Sequence, residues 1–168
     1  MLVRPARPDD IDQLSGLWYE GWHEAHASLV PPELTRLRTL DSFSQRLAAA
    51  IPDVRVIGSS GRPRGFCWLK GSEVYQLFVS TDARGAGVAA VLLADAERQL
   101  CGAGIEDAWL ACAIGNDRAA AFYEKHGWRR IGTMINDVET SEGSFSLEVW
   151  RYEKRLVSPH KIKPLVSI

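Results

Sequence analysis

Apolar positions recur along this chain with two periods, and the change from one to the other lays out its elements. Ile11, Leu14, Leu17, Trp18 and Trp22 recur at helical spacing, and Asp9 or Asp10 just ahead of them predicts an N-cap. Pro31-Pro32 ends that pattern. Leu34, Leu37, Phe43, Leu47 and Ala50 then predict a second helical region over 33–51, with Asp41 or Ser42 as a restart. Leu2 and Val3 suit a short first strand stopped by Pro5 and Pro8. Residues 54–57, 65–69 and 74–79 read as an antiparallel meander, its first two strands joined by a loop of about six residues through Gly58-Ser59-Ser60-Gly61-Arg62-Pro63.

Beyond residue 79 the period changes again. Ala89, Leu92, Leu93, Ala96 and Leu100 mark one face of a helix that starts at Gly87 and ends near Gly102 and Gly104. Ala108-Trp109-Leu110-Ala111-Cys112-Ala113 is apolar without a break, which predicts a strand buried on both faces. Strand, helix and strand in this order make a βαβ crossover. Asn116-Asp117 predicts the cap of a short helix with Ala119, Phe122 and Tyr123 on its inner face, and Gly127 suits a left-handed C′ position. A final hairpin is expected from 128–138 and 145–152, turning at Ser141-Glu142-Gly143. Residues 1–157 read as a single domain and 158–168 as a C-terminal tail.

The 168-residue length suits one domain with a real core. Twenty Lys and Arg stand against 21 Asp and Glu, a formal charge of −1, without the basic excess that nucleic acid or an anionic membrane partner calls for. The expected partner is small. Cys67, Cys101 and Cys112 are scattered among apolar neighbours and read as reduced thiols, and with neither a signal core nor a membrane-length apolar run the expected location is cytoplasmic. No ligand spacing for a metal is present; His23 and His26 lack a third ligand.

The candidate chemistry lies where the meander meets the helix. In Arg84-Gly85-Ala86-Gly87-Val88-Ala89, glycines allow a close backbone approach, and the first N–H groups of a helix carry partial positive charge without intrahelical partners. A phosphate oxygen is the natural occupant. The loop lacks the Gly-Lys-Ser/Thr ending of a P-loop and the third glycine of a dinucleotide-binding loop.

This stretch resembles the Arg/Gln-x-x-Gly-x-Gly/Ala acyl-CoA pyrophosphate loop of the GNAT N-acetyltransferase superfamily. Some thirty residues on, Asn116 followed by Ala119, Phe122, Tyr123 and Gly127-Trp128 is similar to that family's Asn-x-x-Ala-x-x-Phe-Tyr-x-x-x-Gly-Phe motif. The resemblance implies an α+β (α/β) fold: a mixed, largely antiparallel central sheet of six to seven strands, with helices on both faces and a central βαβ crossover. It also implies acetyl-CoA as co-substrate, no metal, and transfer of acetyl to a primary amine of a small molecule or peptide by direct attack. Under it, Arg84, Gly85, Ala86, Gly87, Val88 and Ala89 hold the pyrophosphate, and the backbone of Leu77, Phe78 and Val79 pairs with pantetheine across a gap facing Ala111-Cys112-Ala113. One of those amides stabilises the oxyanion. Asn116 contacts the CoA arm or serves as a plain N-cap. Tyr123 is the expected acid for the leaving thiolate. Glu73 is the first candidate base, because Tyr75 and Gln76 on the same strand offer no carboxylate.

The acceptor side is expected from the first helices and the last hairpin. Trp18, Trp22 and His23, with His26 beside them, are candidates to line it, as an aromatic wall that suits a cationic amine or as core. The alternative function is a non-catalytic acyl-CoA sensor or interaction module. A homodimer is compatible with the sequence.

Overall fold

A computed structural model describes residues 1–157; the tail expected at 158–168 lies outside the described residues. The strands are β1 (Val3–Pro5), β2 (Val54–Ser59), β3 (Arg62–Lys70), β4 (Glu73–Val79), β5 (Asp107–Ala113), β6 (Arg129–Thr140) and β7 (Gly143–Arg155). The helices are α1 (Ile11–His26), α2 (Pro32–Leu37), α3 (Leu40–Ala50), α4 (Val88–Gly102) and α5 (Asp117–Lys125). Seven strands form one sheet in the order β1-β2-β3-β4-β5-β7-β6, antiparallel throughout except for β4 beside β5. This is the expected mixed sheet with a βαβ crossover through α4.

Two cores divide at the sheet. Leu92, Leu93, Ala96 and Leu100 of α4 pack with Leu110, Cys112 and Tyr152 on one face. Leu14, Trp18 and Trp22 of α1 and Phe43 and Leu47 of α3 pack with Val54, Val56, Phe66 and Trp68 on the other. The close seat of α1 on β4 requires a glycine: a Cβ on Gly21 would lie 2.8 Å from the Phe78 ring.

Several local expectations change. Pro5 belongs to β1 rather than ending it, which an edge strand tolerates because its N–H side needs no partner. Asp10 does not cap α1 with its side chain. Its buried carboxylate instead accepts from the Arg4 guanidinium at 2.8 and 2.9 Å and from the amides of Arg7 and Gly61. The restart before α3 is capped by Thr39, whose hydroxyl accepts from the Ser42 amide, rather than by Asp41 or Ser42. The β2–β3 connection is tighter than the expected loop, because Gly58, Ser59, Arg62 and Pro63 pair within the strands. On β5 only one face is fully buried; Trp109 and Ala111 remain half-exposed on the other, where the Arg151 guanidinium lies 4.4 Å from the Trp109 ring.

Candidate active site

The site begins with a defect in β4. Trp68 pairs with Gln76 and Leu69 with Val74, so Tyr75 is an extra residue without a partner on β3. A bulge of this kind bends its strand and sharpens the local twist. Its effect appears on the other edge of β4, which pairs with β5 only at Glu73 and Trp109, next to the bond from the Trp109 amide to the Ser72 carbonyl. Beyond that point the two strands diverge. The half-buried residues Leu77, Phe78 and Val79 therefore face a gap whose far side is Ala111, Cys112 and Ala113. Alternate N–H and C=O groups of β4 along this gap lack the neighbouring strand that would satisfy them.

At the open end of the gap lies the turn into α4. Gly85 and Gly87 have φ of +79° and +77°, in the left-handed region open to glycine, and a Cβ on either would meet no protein atom within 4 Å. The space above them is empty of side chains. The Val91 amide donates to the Gly87 carbonyl and so begins the α4 ladder. Ahead of it, the amides of residues 85–90 have no acceptor among the described residues. The α4 N-terminus also has no side-chain cap and no acidic residue in its first turn. Helix starts ordinarily satisfy these donors with a Ser, Thr, Asp or Asn side chain. Six successive bare donors at the positive end of a helix make a cradle for an anion with several oxygens. Arg84 pins this turn to α1 through a bidentate pair with Glu24, at 2.7 Å for each bond.

Tyr123 stands on α5, close enough to Cys112 of β5 for the two groups to interact electrostatically. Gly127 adopts the expected left-handed C′ conformation at φ +85°, and the Trp128 amide closes the helix on the Tyr123 carbonyl at 3.1 Å. The Tyr123 ring packs beside Phe122, Trp128 and Tyr152. Burial pushes its phenol well above the usual tyrosine range, and the thiols of Cys112 on β5 and Cys67 on β3 act in the same direction. Those thiols are themselves pushed up by burial, to about 11 and about 12, so neither is a ready nucleophile at neutral pH. Asn116 caps α5, its side-chain oxygen accepting from the Ala119 amide at 3.3 Å. That leaves its NH2 group for another partner.

Glu73 sits where β4 and β5 still touch, and it is 8% exposed despite its position beside a turn. Burial raises its carboxyl from 4.5 to about 7, against the opposing pull of Lys70 and Arg151. A group poised there can take a proton at neutral pH. Strand alternation directs it away from the α4 face, since its neighbour Val74 joins the α4 core while Trp109, its partner on β5, faces Arg151.

The aromatic residues of α1 separate into two kinds. Trp18 has no exposed surface; it packs 4.4 Å from Phe43 and 5.7 Å from Phe66, so it belongs to the core rather than to a pocket wall. Trp22 is nearly as buried, whereas His23 and His26 are half-exposed. One ring nitrogen of His23 is bonded to the Arg38 carbonyl, and burial lowers His26 to about 4. Two arginines that the helical pattern did not single out, Arg38 and Arg46, line a cavity of about 400 Å³ between α3 and the tip of the β6–β7 hairpin. Among the described residues no group of His, Cys, Asp and Glu is placed to hold a metal ion, and no helix is long and apolar enough to cross a membrane.

A split sheet with a bare helix start at its mouth is the architecture of an acyl-CoA-dependent transferase, and the sequence agrees. The chain belongs to the GNAT acetyltransferase family, whose pattern it matches over residues 12–128. No curated protein matches it. Among solved structures it is similar to a GCN5-related N-acetyltransferase from Rhodopseudomonas palustris, at 22% identity and a TM-score of 0.71 over 92% of this chain and 95% of that one. It is also similar to the ribosomal-protein-alanine N-acetyltransferase of Brucella melitensis, at 19% identity and a TM-score of 0.65 over 93% and 100% of the two chains. The PaiA N-acetyltransferase of Thermoplasma acidophilum, solved with coenzyme A, shares 17% identity and a TM-score of 0.62 over 92% and 98%. These likenesses are of fold. Membership of the family supports acetyl transfer to an amine acceptor and binding of an acyl-CoA.

Proposed function

We propose that the chain transfers acetyl from acetyl-CoA to a primary amine of a small molecule or peptide by direct attack, within one domain spanning residues 1–157. The observation that carries this reading is the run of bare amides at residues 85–90 beside the divergence of β4 from β5. Gly85, Ala86, Gly87, Val88 and Ala89 hold the diphosphate through backbone N–H groups, while Arg84, whose guanidinium is paired with Glu24, fixes the turn that presents them. Pantetheine lies in the gap, its amides paired with Leu77, Phe78 and Val79 as an added strand, with the Asn116 NH2 group on the CoA arm. Glu73, directly or through water, takes a proton from the ammonium of the acceptor. The freed amine attacks the thioester carbon, and a β4 amide holds the oxyanion. As the tetrahedral intermediate collapses, the C–S bond breaks, the thiolate takes the proton of the Tyr123 hydroxyl, and the surplus proton on the new amide nitrogen passes through solvent to the Tyr123 phenolate. Burial keeps this phenol protonated and also makes it a weaker acid.

A thiol-release assay with acetyl-CoA over amino acids, polyamines, peptides and aminoglycosides tests this reading, paired with thermal shifts by acetyl-CoA, ATP and NAD. The expected result is stabilisation by acetyl-CoA alone and turnover with at least one amine. Stabilisation without turnover across the panel would favour a sensor module; stabilisation by ATP or NAD alone would reject the site.

A further inference from the structure

We infer that the acceptor carries an anionic group, a carboxylate or a phosphate, beside its amine, and that Arg38 and Arg46 receive it in the cavity between α3 and the β6–β7 hairpin. The inference rests on the acetyltransferase reading and narrows its substrate class.

Arg38 is 4% exposed, yet no carboxylate lies within ion-pairing distance of it among the described residues. Its Nη1 donates to the Glu139 backbone carbonyl at 2.6 Å, while its Nε is buried with no partner. Arg46, half-buried beside it, also lacks an acidic partner among the described residues. Its Nη2 donates to the neutral Tyr75 hydroxyl at 2.7 Å, its buried Nε has no partner, and its planar face lies 4.5 Å from the Trp18 ring. Burial first, and then repulsion from the Arg46 guanidinium, lower Arg38 to about 10. Buried cations are ordinarily paired, because an unpaired charge loses its hydration for nothing. Here both line one cavity of about 400 Å³. The acids at its rim, Asp53 and Glu139, are exposed, and the Glu139 side chain is taken by Lys70 at 3.5 Å.

The cavity is also in the right place. Lys70 lines it and is the cross-strand partner of Glu73, so both side chains stand on one face of the sheet. An acceptor whose anion meets Arg38 and Arg46 therefore extends toward the carboxylate that would deprotonate its amine. The cationic amine expected from the aromatic residues is thereby replaced: Arg46 already covers the Trp18 ring, and a further cation in this cavity would face two unpaired guanidinium groups.

The test has a binding arm and a turnover arm. In the first, glycine, 4-aminobutyrate, 5-aminopentanoate, their carboxamides and O-phosphoethanolamine are titrated into the protein without acetyl-CoA, following binding by calorimetry. In the second, thiol release is measured with the same compounds. The expected result is that at least one anionic amine binds and reacts about 10- to 100-fold better than its neutral counterpart, the range for a charge-assisted contact. Arg46→Gln should bring that ratio close to one. A phosphate source is distinguished by preference for O-phosphoethanolamine over every carboxylate. Equal use of carboxylates, phosphate and amides overturns the inference and leaves acetyl transfer standing, as does an anion preference that survives both Arg46→Gln and Arg38→Gln. No thiol release with any amine would instead defeat the transferase reading. The binding arm would still judge the cavity: anion binding abolished by Arg46→Gln supports it, and its absence overturns it.

Discussion

Replacing Glu73 with Gln should make the protein more stable and less active at once. The carboxyl is 8% exposed and its pKa is raised from 4.5 to about 7, chiefly by burial. The folded state therefore favours the protonated acid, and stability is greatest below about pH 4.5, falls as pH rises toward 7, and levels off above. The full difference between those two values corresponds to about 3 kcal/mol. Glutamine copies the neutral acid. The variant should match the parent near pH 4 and exceed it at pH 8 by about 3 kcal/mol, or roughly 6 to 12 °C in Tm for a domain of this size. Activity should move the other way: kcat/KM should fall about 10²- to 10⁴-fold, and the ascending limb near pH 7 should disappear. Paired thermal melts and pH–rate profiles read both effects. A variant with no pH-dependent gain in stability would show that the carboxylate is solvated. An ascending limb that survives the substitution would show that another group is the base.

Tyr123→Phe should lower kcat by about 10²-fold or more while leaving the Kd for CoA unchanged, and because the phenol is held above its usual range the parent should show no descending limb from it below pH 10; unchanged turnover would remove it as the acid. Gly87→Ala forces a side chain into the left-handed region at φ +77°, so it should cost about 1–2 kcal/mol in denaturant melts and weaken CoA binding in calorimetry. Asp10→Ala should destabilise by about 3 kcal/mol, since it strips a buried carboxylate from Arg4 and two backbone amides. That carboxyl is held below 3.8, chiefly by its hydrogen bonds from Arg4, so its contribution is present above about pH 4 and lost as pH falls, and the gap between variant and parent in acid titration should close below that point.

Much of this geometry is legible in the sequence because it follows from period and from glycine. The α4 pattern, the left-handed Gly127 and the crossover through Ala108-Trp109-Leu110 are local signals that the tertiary structure has no reason to override. The divergence of the strands is different. It depends on the bulge at Tyr75, which the residues 74–79 do not announce, because a bulge is decided by how two strands meet. Glu73 looks solvated for the same reason: it adjoins a turn, and only the arrival of β5 and the last hairpin buries it. The tryptophans of α1 read as core more readily than as wall, and the arrival of α3 against Trp18 places that residue in the core. Arg38, in the connection after α2, and Arg46, on α3, carry no signal at all, since a charged residue in a loop or on a helix is ordinarily at the surface.

The most direct test is a titration of coenzyme A into isotopically labelled protein, following the backbone amide resonances. Saturable shifts should concentrate at residues 85–90, whose amides lack protein acceptors among the described residues, with a second group along 77–79, where the edge of β4 facing the gap has no neighbouring strand. Coenzyme A that binds while leaving the amides of 85–90 unmoved would contradict the proposed site.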